Sequence, residues 1–332
     1  MKNKQRTKDF INNSRLDSII SELTEFLFPV QKMLQEKYNQ NKYPFLFILG
    51  CPRSGSTLLL QWLASLGVFS YPTNVLNRFA YAPYIGAQVQ KMLFDSRFDH
   101  NGEFVDLNSN ISFLSNLGKS NGALSINEFQ YFFRNYMHNF VPRYLTDKEV
   151  ERVDFDGIKK GLISIEEAFQ KPFVTKNVML QFNLESLYSQ IPKSFFLYIK
   201  RDPIYNMQSL ILAREKYYGN RNIWWSVKPK EYNKLKELDV YHQVAGQVYY
   251  TEKAISEGLQ QVPEEKKIII YYEEFCAHPT EYYKRIIKKL SVNGYTIDTP
   301  YVGKDEFSMS NSIKLSKDEI IEIKRAYAYF SR

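Results

Sequence analysis

The stretch FLFILGCPRSGSTLLLQWLASLG, residues 45–67, concentrates groups that can hold an anion. Gly50 is followed by four residues and then Gly55-Ser56-Thr57, the glycine spacing of a phosphate-binding loop of the form G-x-x-x-x-G-K-[ST]. The position that takes lysine in that pattern holds Ser56, and a basic residue, Arg53, stands two places before Gly55. A strand, a tight turn and a helix in succession aim backbone N–H groups and the positive end of a helix dipole at one spot. Gly55 lets the backbone approach an anion without a Cβ in the way. Ser56 and Thr57 add hydroxyl donors, and Arg53 adds a charge-assisted hydrogen bond. The competing reading is a plain strand-to-helix turn punctuated by Pro52 and Gly55. A metal-bound triphosphate normally calls for the loop lysine and for a strand-end Asp that holds magnesium. The lysine is missing here, and Asp202, after Lys200-Arg201, reads as a helix cap. The loop is therefore expected to hold its anion without metal.

The elements around the loop must carry it to a sheet edge. The apolar run at 45–50 reads as a buried strand, and the spacing from Thr57 to about Leu66 as a helix. The pattern predicts further strands at 171–177, 194–200 and 266–275. Helices are expected at LESLYSQI, at DPIYNMQSLILARE, over 240–259, and at PTEYYKRIIKKL as the closing helix. Asp202 is a plausible N-cap, with Pro203 suited to the first helical position. Strands alternating with helices predict an α/β fold of three layers around a mainly parallel sheet. Ligands in such sheets bind beyond the carboxyl ends of the strands, where the glycine loop, Lys176 and Arg201 all fall.

Residues 1–42 read as a helical preface, with an apolar face through Ile19, Leu23, Phe26, Val30, Met33 and Leu34 that Pro29 kinks or divides. Residues 43–332 then form one α/β domain. Within it, 68–171 loosens into aromatic, Asn-rich and Gly-rich pieces, too long for a structureless loop, and is expected to carry short helices and bind the acceptor.

The chain has 332 residues and a net charge of +8, which suits an anionic partner. The charge is spread along the chain without a basic block or nucleic-acid motif, so nucleic acid is not the expected partner. Cys51 and Cys276 lie far apart and give no metal spacing. The start of the chain is basic and polar, unlike a secretory signal, and no run is long and apolar enough to span a membrane. A cytoplasmic setting is expected.

The segment PRSGSTLL resembles the 5′-phosphosulfate-binding loop of the sulfotransferases, enzymes that use 3′-phosphoadenosine-5′-phosphosulfate (PAPS) as donor. The family's second element is a strand ending in Arg with a Ser eight residues later, which together grip the donor's 3′-phosphate. FFLYIKRDPIYNMQSL places Arg201 and Ser209 at that separation. A weaker likeness is IIIYYEEFCAHP, similar to the family's strand followed by Tyr-Glu-Asp/Glu and a nearby Pro. The likeness runs from residue 45 to about 290 and is loose between 68 and 171. It implies a P-loop-like sulfotransferase fold, with a donor site at Arg53, Ser54, Gly55, Ser56, Thr57, Leu58, Arg201 and Ser209. It also implies that no metal is required.

The same resemblance implies chemistry. Arg53 would stabilise charge on the 5′ side. Lys176 matches a basic residue that some relatives place just past an equivalent strand, near the leaving or transferring oxygens. The family's base is His or Glu, and Glu128 is the preferred candidate, with His138, Glu103 and Asp95 behind it. Ser125-Ile-Asn-Glu128 also has the form of a capping box, in which Glu128 would close a helix N-terminus instead. His242 and His278 read as structural or solvated. Trp224, Trp225, Tyr249 and Phe275 are available for adenine, and the tail SMSNSIKLSKDE for further 3′-phosphate contacts. The expected activity moves a sulfuryl group from PAPS to an acceptor hydroxyl on a carbohydrate, leaving 3′-phosphoadenosine-5′-phosphate (PAP). A lipid, phenol or tyrosyl acceptor also fits. A P-loop kinase or hydrolase, and a binding protein without a base, are the other function classes.

Overall fold

A computed structural model describes residues 6–11, 13–104, 106–107, 111–137, 141–176 and 178–331. The order of elements is α1 (Ser14–Lys37), β1 (Phe45–Leu49), α2 (Ser56–Ser65), α3 (Asn74–Arg78), α4 (Pro83–Phe94), α5 (Gln130–Met137), α6 (Asp147–Val150) and α7 (Phe155–Phe169). There follow β2 (Phe173–Lys176), α8 (Leu184–Gln190), β3 (Ser194–Lys200), α9 (Pro203–Tyr218), α10 (Tyr232–Leu235) and α11 (Val240–Gln260). The chain ends with β4 (Lys267–Tyr271), α12 (Tyr272–Ala277), α13 (Pro279–Val292) and α14 (Lys317–Phe330).

The strands form a parallel sheet in the order β2-β1-β3-β4. Alternate residues feed two cores, which is why the strands read as unbroken apolar runs. Phe45, Phe47, Phe173 and Phe196 pack with Ile158, Leu162 and Ile165 of α7 on one face. Leu46, Ile48, Leu197 and Ile268 pack with Leu59, Leu63 and Ile286 of α2 and α13 on the other. The expected three-layer α/β architecture is thus present. A third cluster, with Met207, Val244 and Ile323, joins α9, α11 and α14. The chain runs from β1 to one side for β2 and back to the other for β3. The topological switch, where such sheets bind ligands, therefore lies between the ends of β1 and β3.

Several elements differ from the sequence expectation. α1 continues through Pro29, and its apolar stripe faces solvent, with Phe26 67% and Met33 73% exposed. The opposite, more polar face docks. Gln31 donates to Ser164 Oγ at 3.0 Å and accepts from Tyr84 N at 3.1 Å, while Gln35 donates to Tyr136 OH at 3.3 Å. The strand expected over 266–275 stops at Tyr271, because YEEFCA turns at once into α12. The chain does not close at α13 either. α14 follows, started by a capping box between Ser316 and Glu319. The segment 68–171 holds α3 to α7, and α7, 15 residues long, packs on the sheet rather than being a short helix. Of the expected strand 171–177, Phe173–Lys176 is extended and Asn177 lies outside the described residues.

Candidate active site

The loop between β1 and α2 is shaped by two left-handed residues, Arg53 with φ 70° and Gly55 with φ 95°. A Cβ on Gly55 would lie 2.4 Å from the Tyr272 ring, and one on Gly50 would lie 2.6 Å from Ser54 Oγ. Backbone therefore runs where side chains would otherwise stand. Ser54 Oγ is buried without a hydrogen-bond partner. No side chain caps α2, and its first residues, Gly55, Ser56 and Thr57, line a cavity of about 1790 Å3. Uncapped helix N–H groups and a helix dipole at one wall make an anion cradle, while the Ser54 hydroxyl is buried behind the loop beside Gly50.

The end of β3 closes on that loop. Arg201 Nη1 donates to the Arg53 carbonyl at 2.9 Å, and Arg53 Nε donates to Ser209 Oγ on α9 at 2.9 Å. Arg53 and the Arg201–Ser209 pair, far apart in sequence, are thus one group. Burial, and then the neighbouring Arg201 charge, lower the Arg53 guanidinium from its ordinary value, and burial lowers Arg201. Neither arginine is in an ion pair among the described residues. The tail between α13 and α14 supports Arg201. Asn311 Oδ1 accepts from its Nη2 at 2.7 Å, the Ser310 carbonyl accepts at 2.9 Å, and the guanidinium lies 4.6 Å from the Tyr272 ring centre. Gln208 fixes the tail further by accepting from Lys314 N and Leu315 N.

Across the cavity, Lys176 at the end of β2 donates to Glu128 Oε1 at 2.5 Å. Gln130 Nε2 donates to the other carboxylate oxygen at 2.6 Å. A Cβ on Gly118 would stand 3.3 Å from Glu128 Oε1, 3.6 Å from Thr57 Oγ1 and 4.0 Å from Lys176 Nζ, so these groups surround one point. Burial pushes the Glu128 carboxyl up, but Lys176, Gln130 and Arg53 outweigh it and hold it below its ordinary value. The capping box at Ser125 and Glu128 is not formed, because α5 begins only at Gln130. Phe129, wholly buried, takes φ 52°, and its N–H donates to Asn127 Oδ1 at 3.0 Å. A bulky residue held in the left-handed region stores strain, and it lies next to Glu128, whose carboxylate Lys176 and Gln130 hold.

A phosphate-type loop carrying Arg53, Arg201 at the neighbouring strand end and the Glu128 carboxylate thus line one cavity. A family model described as "Sulfotransferase family" matches residues 44–296. The chain belongs to the sulfotransferase family. This family member resembles, in three dimensions, a sulfotransferase from Mycobacterium avium at 13% identity and TM-score 0.46, covering 95% of this chain and 76% of that one. A sulfotransferase from Mycobacterium tuberculosis H37Rv matches at 12% identity and TM-score 0.48, over 92% of this chain and 75% of that one. One from Alicyclobacillus acidocaldarius matches at 13% and 0.44, over 87% and 93%. No relative is found among curated protein sequences.

The remaining candidates of this sulfotransferase-family chain fall into two groups. Leu58, Trp224, Trp225 and Ser310 line the cavity with the loop. Phe275 is buried against Trp62, and Tyr249 packs on Tyr327 and Phe330, so neither presents a ring to the cavity. Asp95 ends α4 and pairs with Arg97, and Glu103 is exposed, both away from the cavity lining. His138 lies outside the described residues. His242 pairs with Asp239 at 2.6 Å and His278 stands at the start of α13. Sequence reasoning missed Gln130 and Tyr272. Tyr272 was hidden inside an apparent strand, and Gln130 acquires meaning only through its partners; Asn311 lies in the tail named for 3′-phosphate contacts and here supports Arg201. Among the described residues, no group of His, Cys, Asp and Glu side chains is gathered to hold a metal, and no helix is long and apolar enough to cross a membrane.

Proposed function

We propose that this protein transfers the sulfuryl group of PAPS to an acceptor hydroxyl, on a carbohydrate. The observation that carries the reading is the joining of Arg53, Arg201 and Ser209 at the mouth of the glycine loop. Two adjacent guanidinium groups short of negative charge call for a highly charged anion, and a nucleotide with phosphate at both ends of its ribose supplies it. Ser54, Gly55, Ser56, Thr57 and Leu58 would hold the 5′ end, and Arg201 with Ser209 the 3′-phosphate. Arg53 lies between them. The cavity exceeds the ~300–1,000 Å3 of a single-ligand pocket, which leaves room for an acceptor beside the donor.

In this reading Glu128 takes the proton from the acceptor hydroxyl. The acceptor oxygen forms the new bond to sulfur while the sulfur–oxygen bond to the 5′-phosphate breaks, and PAP leaves. Lys176, now on Glu128, is placed to turn to the bridging oxygen and offset its growing charge. Aromatic cavity residues, Trp224, Trp225 and Tyr131, offer faces for adenine or sugar. The test is incubation with PAPS and a panel of oligosaccharides, following PAP release and the mass of one added sulfo group. Acceptor-dependent PAP release with a sulfated sugar supports the reading. Mass gain only on phenols or lipids would overturn the carbohydrate assignment, and no PAP release with any acceptor would overturn the activity.

A further inference from the structure

We propose that the acceptor carries an anionic group, carboxylate, sulfate or phosphate, beside the hydroxyl that is modified, and that Lys119 and Arg134 hold it. The inference rests on the sulfotransferase reading of the site, since it concerns the part of the cavity that the donor does not use.

Charge inside the cavity is lopsided. The donor reading employs Arg53, Lys176 and Arg201, yet Arg78, Lys119, Arg134 and Lys228 also line the wall, against Glu128 as the acidic group of the lining. Among the described residues none of these further cations is in an ion pair. Like charges gathered around a partly dry cavity repel one another unless a ligand compensates them. A neutral acceptor would leave that repulsion in place.

Two of these cations are built into the geometry of the proposed base. Gly118, where an added Cβ would meet Glu128 and Thr57, belongs to a tight turn closed by Asn116 N to Lys119 O at 2.8 Å and Lys119 N to Asn116 O at 3.0 Å. Leu117 and Gly118 are both left-handed, with φ 51° and 88°, the backbone of a two-residue hairpin turn. That turn presents Lys119 at the cavity wall. Arg134 approaches from α5. Its Nη2 donates to Gln130 Oε1 at 2.8 Å, and Gln130 in turn donates to Glu128 Oε2. Arg134 Nε is buried without a partner, and burial holds this guanidinium below its ordinary value. Glu128 therefore has Lys176 at Oε1, on the donor side, and the Gln130–Arg134 pair at Oε2. An acceptor hydroxyl at Glu128 would have its neighbouring substituents beside Arg134 and Lys119.

The test titrates the PAP-saturated protein, and the PAP-free protein in parallel, with tetragalacturonate and with its neutral methyl ester. The expected result is a preference of about tenfold or more for the acid, the scale of one charge-assisted bond. Arg134→Gln and Lys119→Gln should each remove most of that preference while PAP affinity stays unchanged. Arg134→Lys should retain it, and Lys253→Gln with Lys317→Gln, at exposed positions of α11 and α14, should not alter it. Equal binding of acid and ester, binding of neither, or a preference untouched by the Lys119 and Arg134 variants would overturn the proposal. Failure of PAP itself to bind would show separately as failure of the donor reading, and the PAP-free titration would still report on Lys119 and Arg134.

Discussion

Arg53 Nε donates to Ser209 Oγ across 2.9 Å, and this one bond ties the glycine loop to the helix that follows β3. The carbonyl of the same residue accepts from Arg201. A phosphate-binding loop of the usual kind places a lysine at the helix start. Here the basic side chain leaves the loop earlier and reaches toward the next strand end. The cavity thus presents a pair of arginines at the sheet's switch point.

Removing either arginine should weaken donor-product binding. Arg53→Ala and Arg201→Ala each delete charge-assisted hydrogen bonds, worth ~1.5–3 kcal/mol apiece, or roughly ten- to hundred-fold in affinity. Calorimetric titration with PAP checks this. Wild-type-like affinity in both variants would remove the site assignment.

Glu128→Gln should spare PAP affinity and lower turnover by about 10²-fold or more, the usual contribution of a positioned base. Single-turnover kinetics with a saturating donor separate the two quantities. Unchanged turnover would exclude Glu128 as the base.

The pH profile offers a second test of the same group. Glu128 sits below its ordinary value in the free protein, so its ionised form is present throughout the neutral range and is lost only as pH falls below the usual carboxylate region of about 4.3. The donor's kcat/KM, which reports the free enzyme, should therefore show no acid limb between about pH 5.5 and 8. If the donor draws Lys176 away, Glu128 loses its nearest cation, and the limb in kcat should lie higher than that in kcat/KM. A limb near 6.5 in kcat/KM would point to a histidine instead.

Gly55→Ala and Gly294→Ala make an informative pair. Both glycines are left-handed, with φ 95° and 81°, but a Cβ at Gly294 meets open space whereas one at Gly55 meets the Tyr272 ring. Gly294→Ala should cost only the backbone penalty, ~1 kcal/mol. Gly55→Ala should cost more and also weaken PAP binding, because Tyr272 carries Arg201 and Ser310. Equal thermal shifts with intact PAP binding would argue against a tightly built loop.

Much of this site is legible in the sequence because the half proposed for the donor rests on backbone geometry. Gly50, Gly55, the strand ending at Lys200-Arg201 and the Asp202 cap are local signals, and Asp202 does accept from Ile204 N at 2.9 Å. Glu128 could not be decided locally, since Ser125 and Glu128 have capping-box spacing. The helix start at Gln130 removes the capping alternative, and the distant Lys176 holds the carboxylate. The α1 stripe misled for a related reason. Apolar periodicity shows that a helix is amphipathic, not which face the body accepts, and here Gln31 and Gln35 make the contact. The cue for α14 was present in Ser316-Lys-Asp-Glu319. The support that Ser310 and Asn311 give Arg201 bridges more than a hundred residues and has no local signature.

The most direct measurement is calorimetric titration with PAP in EDTA, beside ATP with magnesium. The account predicts tight, metal-independent binding of PAP and weak binding of ATP. Preference for ATP with magnesium would contradict it and would make the loop that of a kinase or hydrolase.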